Sequence, residues 1–200
     1  MDNLLSYSLT EDPFVSFEQW FLQAMKVEQN AQAMSVATYD SEHKRPTSRY
    51  LLFKEIKNQK IIFYTNYASP KSKDLDHNPE VALNFYWHIS QKQVRIQGTA
   101  VKMSAIDSAG YFHSRDRESQ LASFVSSQSA PIKDKAELID KLQMAKKEFE
   151  GKEIPLPLSW GGYLVTPYEF EFFLYGEHRL NDRFLYELHN ENWKMTRLQP

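Results

Sequence analysis

Residues 34–40 read MSVATYD, 49–56 RYLLFKEI, 60–66 KIIFYTN and 81–87 VALNFYW. These four runs are rich in β-branched and aromatic side chains and are separated by polar or proline-containing stretches, the texture of neighbouring strands in one sheet. Residues 93–101, QVRIQGTAV, add a fifth strand with one polar face. Gln93, Arg95, Gln97 and Thr99 alternate with Val94, Ile96, Gly98 and Ala100, the period of two that places them on opposite sides. Between the third and fourth runs, SPKSKDLDHNP at 69–79 predicts a short helix or turn, because Asn78-Pro79 stops any helix there.

Outward from this block the period changes. Asp12-Pro13 suits a helix start, and Phe14, Phe17, Phe21 and Met25 recur at helical spacing to about Gln29. Residues 1–12 are expected to form a flexible amino-terminal segment. Ser104 with Asp107 resembles a capping pair and opens a helical stretch running through Tyr111 towards Val125. A packing helix follows, with Leu138, Ile139, Leu142, Ala145 and Phe149 as its apolar stripe and Glu137 and Lys141 paired on the wet side. PLPLSWGGY (155–163) breaks regular structure, and YLVTP, YEFEFFLYG, RFLYEL and NWKMTRL read as closing strands. Many strands and few helices without βα alternation predict a mainly β, α+β fold. The expected form is an antiparallel barrel decorated by helices, one domain over residues 1–200.

Composition narrows the chemistry. Two hundred residues, 42% of them hydrophobic, suffice for one sizeable core. A net charge of -2 supplies no bulk positive field for nucleic acid or anionic lipid, so any phosphate must be met by a local cluster. No apolar run approaches membrane-helix length and no signal-peptide pattern opens the chain, which points to a cytoplasmic protein. The absence of cysteine excludes thiolate, disulfide and iron–sulfur chemistry. The six glycines form neither GxGxxG nor a P-loop, and the six histidines never fall four apart on a helix, so no metal site is expected. What chemistry there is belongs to a bound organic cofactor.

Three constellations could serve one. Tyr111, Arg115 and Ser119, four apart in a predicted helix, drift about 40° per step and offer a fork-shaped cation and two hydroxyls to one pocket, a set suited to a phosphate monoester; a solvated helix face has the same spacing. Arg49 and Lys54 lie in an otherwise apolar strand, where charge is costly without solvent, partner or ligand. Being five apart they fall on opposite faces, so joint service requires a bulge or a subunit boundary. In GEHRLNDRF (176–184), Arg179 and Arg183 could meet a ligand or pair with Glu177 and Asp182.

Taken in chain order, SRYLLFK (48–54), FYTNYASPK (63–71), QKQVRIQGTA (91–100), YFHSRDRESQ (111–120), SSQSA (126–130), PLPLSWGGY, GEHRLNDRF and NWKMTRLQP (192–200) resemble the pyridoxamine 5'-phosphate oxidase family, part of the FMN-binding split-barrel group. The resemblance implies a homodimer with FMN at the interface and each site lined by both chains. By motif position Arg49, Tyr64, Thr65, Lys71, Gln93, Gln128, Ser129, Phe173 and Arg183 would hold the flavin, and Lys54, Tyr111, Arg115 and Ser119 the substrate phosphate. Arg179 would sit over the substrate ring and Asn181 beside it as the catalytic positions. The implied reaction oxidises pyridoxamine or pyridoxine 5'-phosphate to pyridoxal 5'-phosphate, with oxygen as acceptor and hydrogen peroxide as product.

Three positions depart from the family pattern. Pro70 stands where an arginine neighbours the flavin-phosphate lysine, Phe173 where a tryptophan is usual, and Asn181 where a histidine is usual. The competing readings are a phenazine-pathway type of FMN oxidase on the same scaffold and a non-catalytic binder of FMN or pyridoxal phosphate.

Overall fold

A computed structural model of the chain describes residues 7–200. In chain order it runs α1 (Pro13–Val27), β1 (Ala33–Asp40), β2 (Arg45–Lys57), β3 (Lys60–Asn66), α2 (Pro70–His77), β4 (Glu80–Trp87), β5 (Lys92–Lys102), α3 (Ala105–Ser114), α4 (Arg117–Val125), α5 (Lys135–Glu148), β6 (Trp160–Leu174), a 3-10 turn at Glu177–Arg179, β7 (Asp182–His189) and β8 (Asn192–Leu198). The strands lie in the order β3-β2-β1-β4-β5-β6-β7-β8, all antiparallel, and a further β3–β6 pairing closes the first six into a barrel. The expected antiparallel barrel with helices is the fold.

Strand β6 makes the closure. Its first part, Trp160–Val165, pairs with β3, and its later part, Glu169–Leu174, pairs with β7, while β5 accompanies it from Tyr163 to Leu174. The change of partner falls at Thr166-Pro167. Pro167 has no N–H to donate, and the β5 register shifts opposite it between Gln97 and Gly98. Gly98 is required there, since a Cβ would lie 2.5 Å from the Thr166 carbonyl oxygen. YLVTP and YEFEFFLYG are therefore one strand rather than two, and that strand already begins inside the WGG run expected to be irregular.

The barrel interior is filled by alternate residues such as Val36, Phe63, Phe85, Ile96 and Phe172, and α1 stoppers it with Phe14, Phe17, Trp20 and Ala24. Asp12 caps that helix, its Oδ1 accepting from Phe14 N at 2.8 Å, and Pro13 occupies the first turn. Of the segment 1–12 expected to be flexible, residues 7–12 are held against the barrel. Leu9 is fully buried, Trp20 Nε1 donates to the Tyr7 carbonyl at 2.8 Å and Tyr186 Oη donates to the Thr10 carbonyl at 2.7 Å. Residues 1–6 lie outside the described residues.

A smaller core, Phe112, Leu121, Ala145, Phe149, Ile154 and Trp160, joins α3, α4 and α5 to the start of β6. The single helix expected from Ser104 to Val125 is two. Arg115 and Asp116 are extended, and Asp116 caps α4 by accepting from Ser119 N at 2.8 Å. In α5 Ala145 and the following Phe149 are buried, whereas Leu138 and Ile139 of the expected stripe are largely exposed. Among the described residues no helix is long and apolar enough to cross a membrane, and no group of His, Asp and Glu is arranged to hold a metal ion.

Candidate cofactor and substrate cleft

Strand β2 faces Thr47, Arg49, Leu51 and Phe53 towards the barrel and then slips. Phe53 pairs with Phe63 but Glu55 with Ile62, so Lys54 is the extra residue of a bulge. Arg49 and Lys54 go to different places, Arg49 into the barrel and Lys54 over Tyr111.

Arg49 reaches inward to the barrel end covered by α2. Its Nη1 donates to Thr38 Oγ1 at 2.7 Å and to the Val36 carbonyl at 3.2 Å, and its Nη2 donates to Thr47 Oγ1 at 2.7 Å. Both hydroxyls donate onward to Asp74 Oδ2, at 2.7 and 3.1 Å. Lys71, in the first turn of α2, is buried; its Nζ donates to Gln128 Oε1 at 2.8 Å, Ser69 Oγ at 2.9 Å and Thr65 Oγ1 at 3.0 Å. None of these partners is a carboxylate. Burial, and then the charge of Arg49, push the lysine down to about 8. Burial likewise lowers Arg49, with Asp74 opposing. Two partly desolvated cations, with Asp74 as the one carboxylate behind the hydroxyls that Arg49 holds, form a site whose cost an entering phosphate would offset. The donor set fits the phosphate of FMN, although Pro70 contributes no side-chain donor.

Beside this pocket three rings stack. Tyr64 and Tyr111 have centroids 4.0 Å apart, and Tyr64 and Trp160 lie 5.2 Å apart at 10°. Gly162 admits Tyr64 here, since a Cβ would meet the ring at 2.9 Å. Lys54 Nζ lies 4.5 Å above Tyr111, and the Arg115 guanidinium 5.0 Å from Trp160 with Nη1 donating to Ser123 Oγ at 2.8 Å. Burial lowers the Arg115 pKa. Leu51, Tyr64, Arg115 and Trp160 line both lobes of one cleft: a lobe of about 600 Å³ that includes Lys54 and Tyr111, and another of about 310 Å³ that includes Thr65, Ser119 and Gln128. Tyr111, Arg115 and Ser119 thus converge, but by the break between α3 and α4 rather than along one helix. Ser129, exposed in the loop after α4, holds a left-handed φ of 67°.

The remaining assigned residues stand apart. Gln93, Phe173 and Arg183 are in register across β5, β6 and β7 on the outer sheet face. Gln93 Nε2 donates to Asn84 Oδ1 at 2.7 Å. Arg183 Nε donates to Glu171 Oε1 at 2.8 Å, not to Asp182, which pairs with Arg197. Its guanidinium lies 5.8 Å from the Phe173 ring. Arg179 is exposed on the turn after β6, where both His178 and Arg179 have positive φ, 55° and 64°. No ion pair with Glu177 forms among the described residues. Asn181 Oδ1 accepts from Gly176 N at 3.1 Å, tying the turn's two ends together. No hydrogen bond, ion pair or ring contact joins this outer group to the cleft within one chain, among the described residues.

Several participants were not among the sequence candidates. Trp160 lay inside a run read as irregular; Ser69, Thr38, Thr47 and Asp74 carry no motif signal of their own; and Glu171 looked like one polar residue in an aromatic strand.

Comparison with known proteins gives a consistent result. Residues 22–146 match the family model described as pyridoxamine 5'-phosphate oxidase, and residues 160–200 match that of the pyridoxine 5'-phosphate oxidase C-terminal dimerisation region. The pyridoxine/pyridoxamine 5'-phosphate oxidase 2 of Hydrogenovibrio crunogenus is 42% identical over 202 residues, covering 100% of this chain and 93% of its own. The pyridoxine/pyridoxamine 5'-phosphate oxidase of Idiomarina loihiensis is 43% identical, covering 96% and 91%. Among solved structures, PhzG from Burkholderia lata 383, in complex with tetrahydrophenazine-1-carboxylic acid, superposes with a TM-score of 0.89 at 27% identity, covering 96% of this chain and 94% of its own. A pyridoxamine 5'-phosphate oxidase-related, FMN binding protein from Nostoc punctiforme shares the fold, with a TM-score of 0.78 at 16% identity over 96% and 100%.

Proposed function

The chain belongs to the pyridoxamine 5'-phosphate oxidase family, and from that premise we propose that its cleft binds FMN and a phosphorylated B6 vitamer together and oxidises the vitamer to pyridoxal 5'-phosphate. The observation that carries the reading is the pair of cationic regions on one cleft. Lys71, with Arg49 close enough to depress its pKa, donates to Thr65 and Gln128, which line one lobe, while Lys54 lines the other and Arg115 stands between the two, a match for two phosphate monoesters. A phenazine-type substrate, which brings no phosphate, would leave the second set unemployed.

Lys71, Arg49, Thr65 and Gln128 hold the flavin phosphate, with Tyr64 and Ser129 alongside. Lys54, Tyr111, Arg115 and Ser119 hold the substrate phosphate, the guanidinium by paired N–H bonds and the hydroxyls by single ones. Anchored there, the substrate keeps its reacting carbon in a fixed place, the entropic share of the rate. When bound, FMN supplies a two-electron acceptor that oxygen regenerates, with hydrogen peroxide as the product. Gln93, Phe173 and Arg183 reach the flavin from a second copy of the chain, so that the site lies at a homodimer interface. The matched dimerisation region and the separation of these residues from the cleft within one chain support this. Arg179 covers the substrate ring and Asn181 sets the turn that presents it. The phosphorylated substrates do not cross membranes unaided, which supports a cytoplasmic location.

The test is optical. The purified protein loaded with FMN is expected to bleach anaerobically on addition of pyridoxamine 5'-phosphate and to recover with peroxide release in air. An oxidised spectrum unchanged by that substrate and by pyridoxine 5'-phosphate would leave only a binding protein.

A further inference from the structure

Glu171 sits on the outer face of β6 and is 2% exposed, yet it carries a charge. A carboxylate so placed is costly unless paired, and it is paired twice. Arg183 Nε donates to its Oε1 at 2.8 Å, and Arg95 from β5 donates to its Oε2. Burial works to raise its pKa, but the bonds and charges of Arg183 and Arg95 together outweigh burial and hold it below the ordinary glutamate value. The bond with Glu171 in turn raises Arg183.

These contacts determine what Arg183 has left to offer. Its Nε is taken by Glu171 and its Nη1 donates to the Gln199 carbonyl at 3.1 Å, whereas Nη2 makes no hydrogen bond among the described residues. The Phe173 ring flanks the guanidinium. An arginine on a bare sheet face would sample many rotamers, and ordering it on a ligand would cost side-chain entropy. Here the fork is already fixed on two sides, with one nitrogen available.

We infer that Glu171 is a positioning residue of the cofactor site: its buried carboxylate fixes Arg183 so that one edge of the guanidinium is presented to FMN. The inference rests on the assignment of Arg183 to the flavin. Arg95 completes the local balance, two arginines against one carboxylate, and leaves a net positive charge suited to an electron-rich ligand.

The test is FMN binding to the cofactor-free protein, followed by quenching of flavin fluorescence. Glu171→Gln keeps the shape and removes the charge, and it is expected to weaken FMN binding by about tenfold, the worth of roughly one charge-assisted hydrogen bond. In an Arg183→Leu background the same change is expected to alter binding less than about twofold, because its effect passes through that side chain. Circular dichroism of the variants checks that the sheet is kept. Unchanged FMN affinity in Glu171→Gln would overturn the inference, as would equal losses in both backgrounds. A parent protein that binds no FMN would instead overturn the cofactor assignment.

Discussion

Lys71 begins with its ammonium already disfavoured, near pKa 8 in the cofactor-free chain. A phosphate beside it favours the charged form and raises that pKa, so binding above pH 8 takes up a proton. FMN affinity should be level below pH 8 and decline above it, and Lys71→Gln should bind more weakly at pH 7 and lose the decline; fluorescence titrations at about pH 6.5 to 9.5 would measure both, and parallel slopes would contradict the assignment. The cofactor-free protein should show the same linkage in stability. Its Lys71 is lower in the folded than in the unfolded chain, so stability is expected to rise as pH climbs from 8 towards 10.5. On the substrate side, Arg115→Ala should raise KM for pyridoxamine 5'-phosphate by roughly 30- to 100-fold with flavin content unchanged, the loss of a bidentate charged contact. Asn181 cannot titrate. Asn181→His should add an ionisation near pH 6.5 to the pH–rate profile, and a profile identical to the parent's would mean that the position lies away from the chemistry. At this scale Arg49 and Lys54 stood out as cations in an apolar strand and Tyr111, Arg115 and Ser119 by their spacing, whereas Lys71, Thr65 and Gln128 came only from the family resemblance. The sequence could not name Trp160 or Glu171, whose importance comes from neighbours on other strands.

At the scale of elements, the readings that failed did so for local reasons. Pro167 looked like a strand end, yet a register shift at Gln97/Gly98 lets β6 run through it. Gly98→Ala would press a Cβ against backbone at 2.5 Å, and it is expected to cost about 1–3 kcal/mol, seen as a lower urea midpoint with unchanged slope. No change would mean that β5 and β6 can part there without loss. The helix expected through Arg115 divides because Asp116 serves better as a cap for α4 than as an interior residue. That division turns Tyr111, Arg115 and Ser119 onto one cleft. The β2 bulge at Lys54 depends on pairing with β3, which one strand's sequence does not contain.

For the whole molecule, the decisive prediction concerns which chain supplies what. If Lys71 and Arg183 of one site come from different copies, a Lys71→Gln chain and an Arg183→Leu chain, each impaired alone, form a heterodimer with one intact site of two. Random reassociation should restore about a quarter of the parental sites, measured as tight FMN binding. No restoration would place both residues in one chain. The barrel itself was readable from alternation and turns, but its closure was not, for β3 and β6 are distant in sequence and nothing local ties them.

That closure also bears on how the protein is made. Residues 60–66 must wait for residues 160–165 before β3 acquires its second neighbour. On the ribosome the first five strands therefore emerge as an open sheet with an unpaired edge and an apolar face. The nascent chain is most prone to stick to its neighbours just before Trp160 leaves the exit tunnel, and a ribosome stalled there should recruit chaperones more strongly than one stalled after β6.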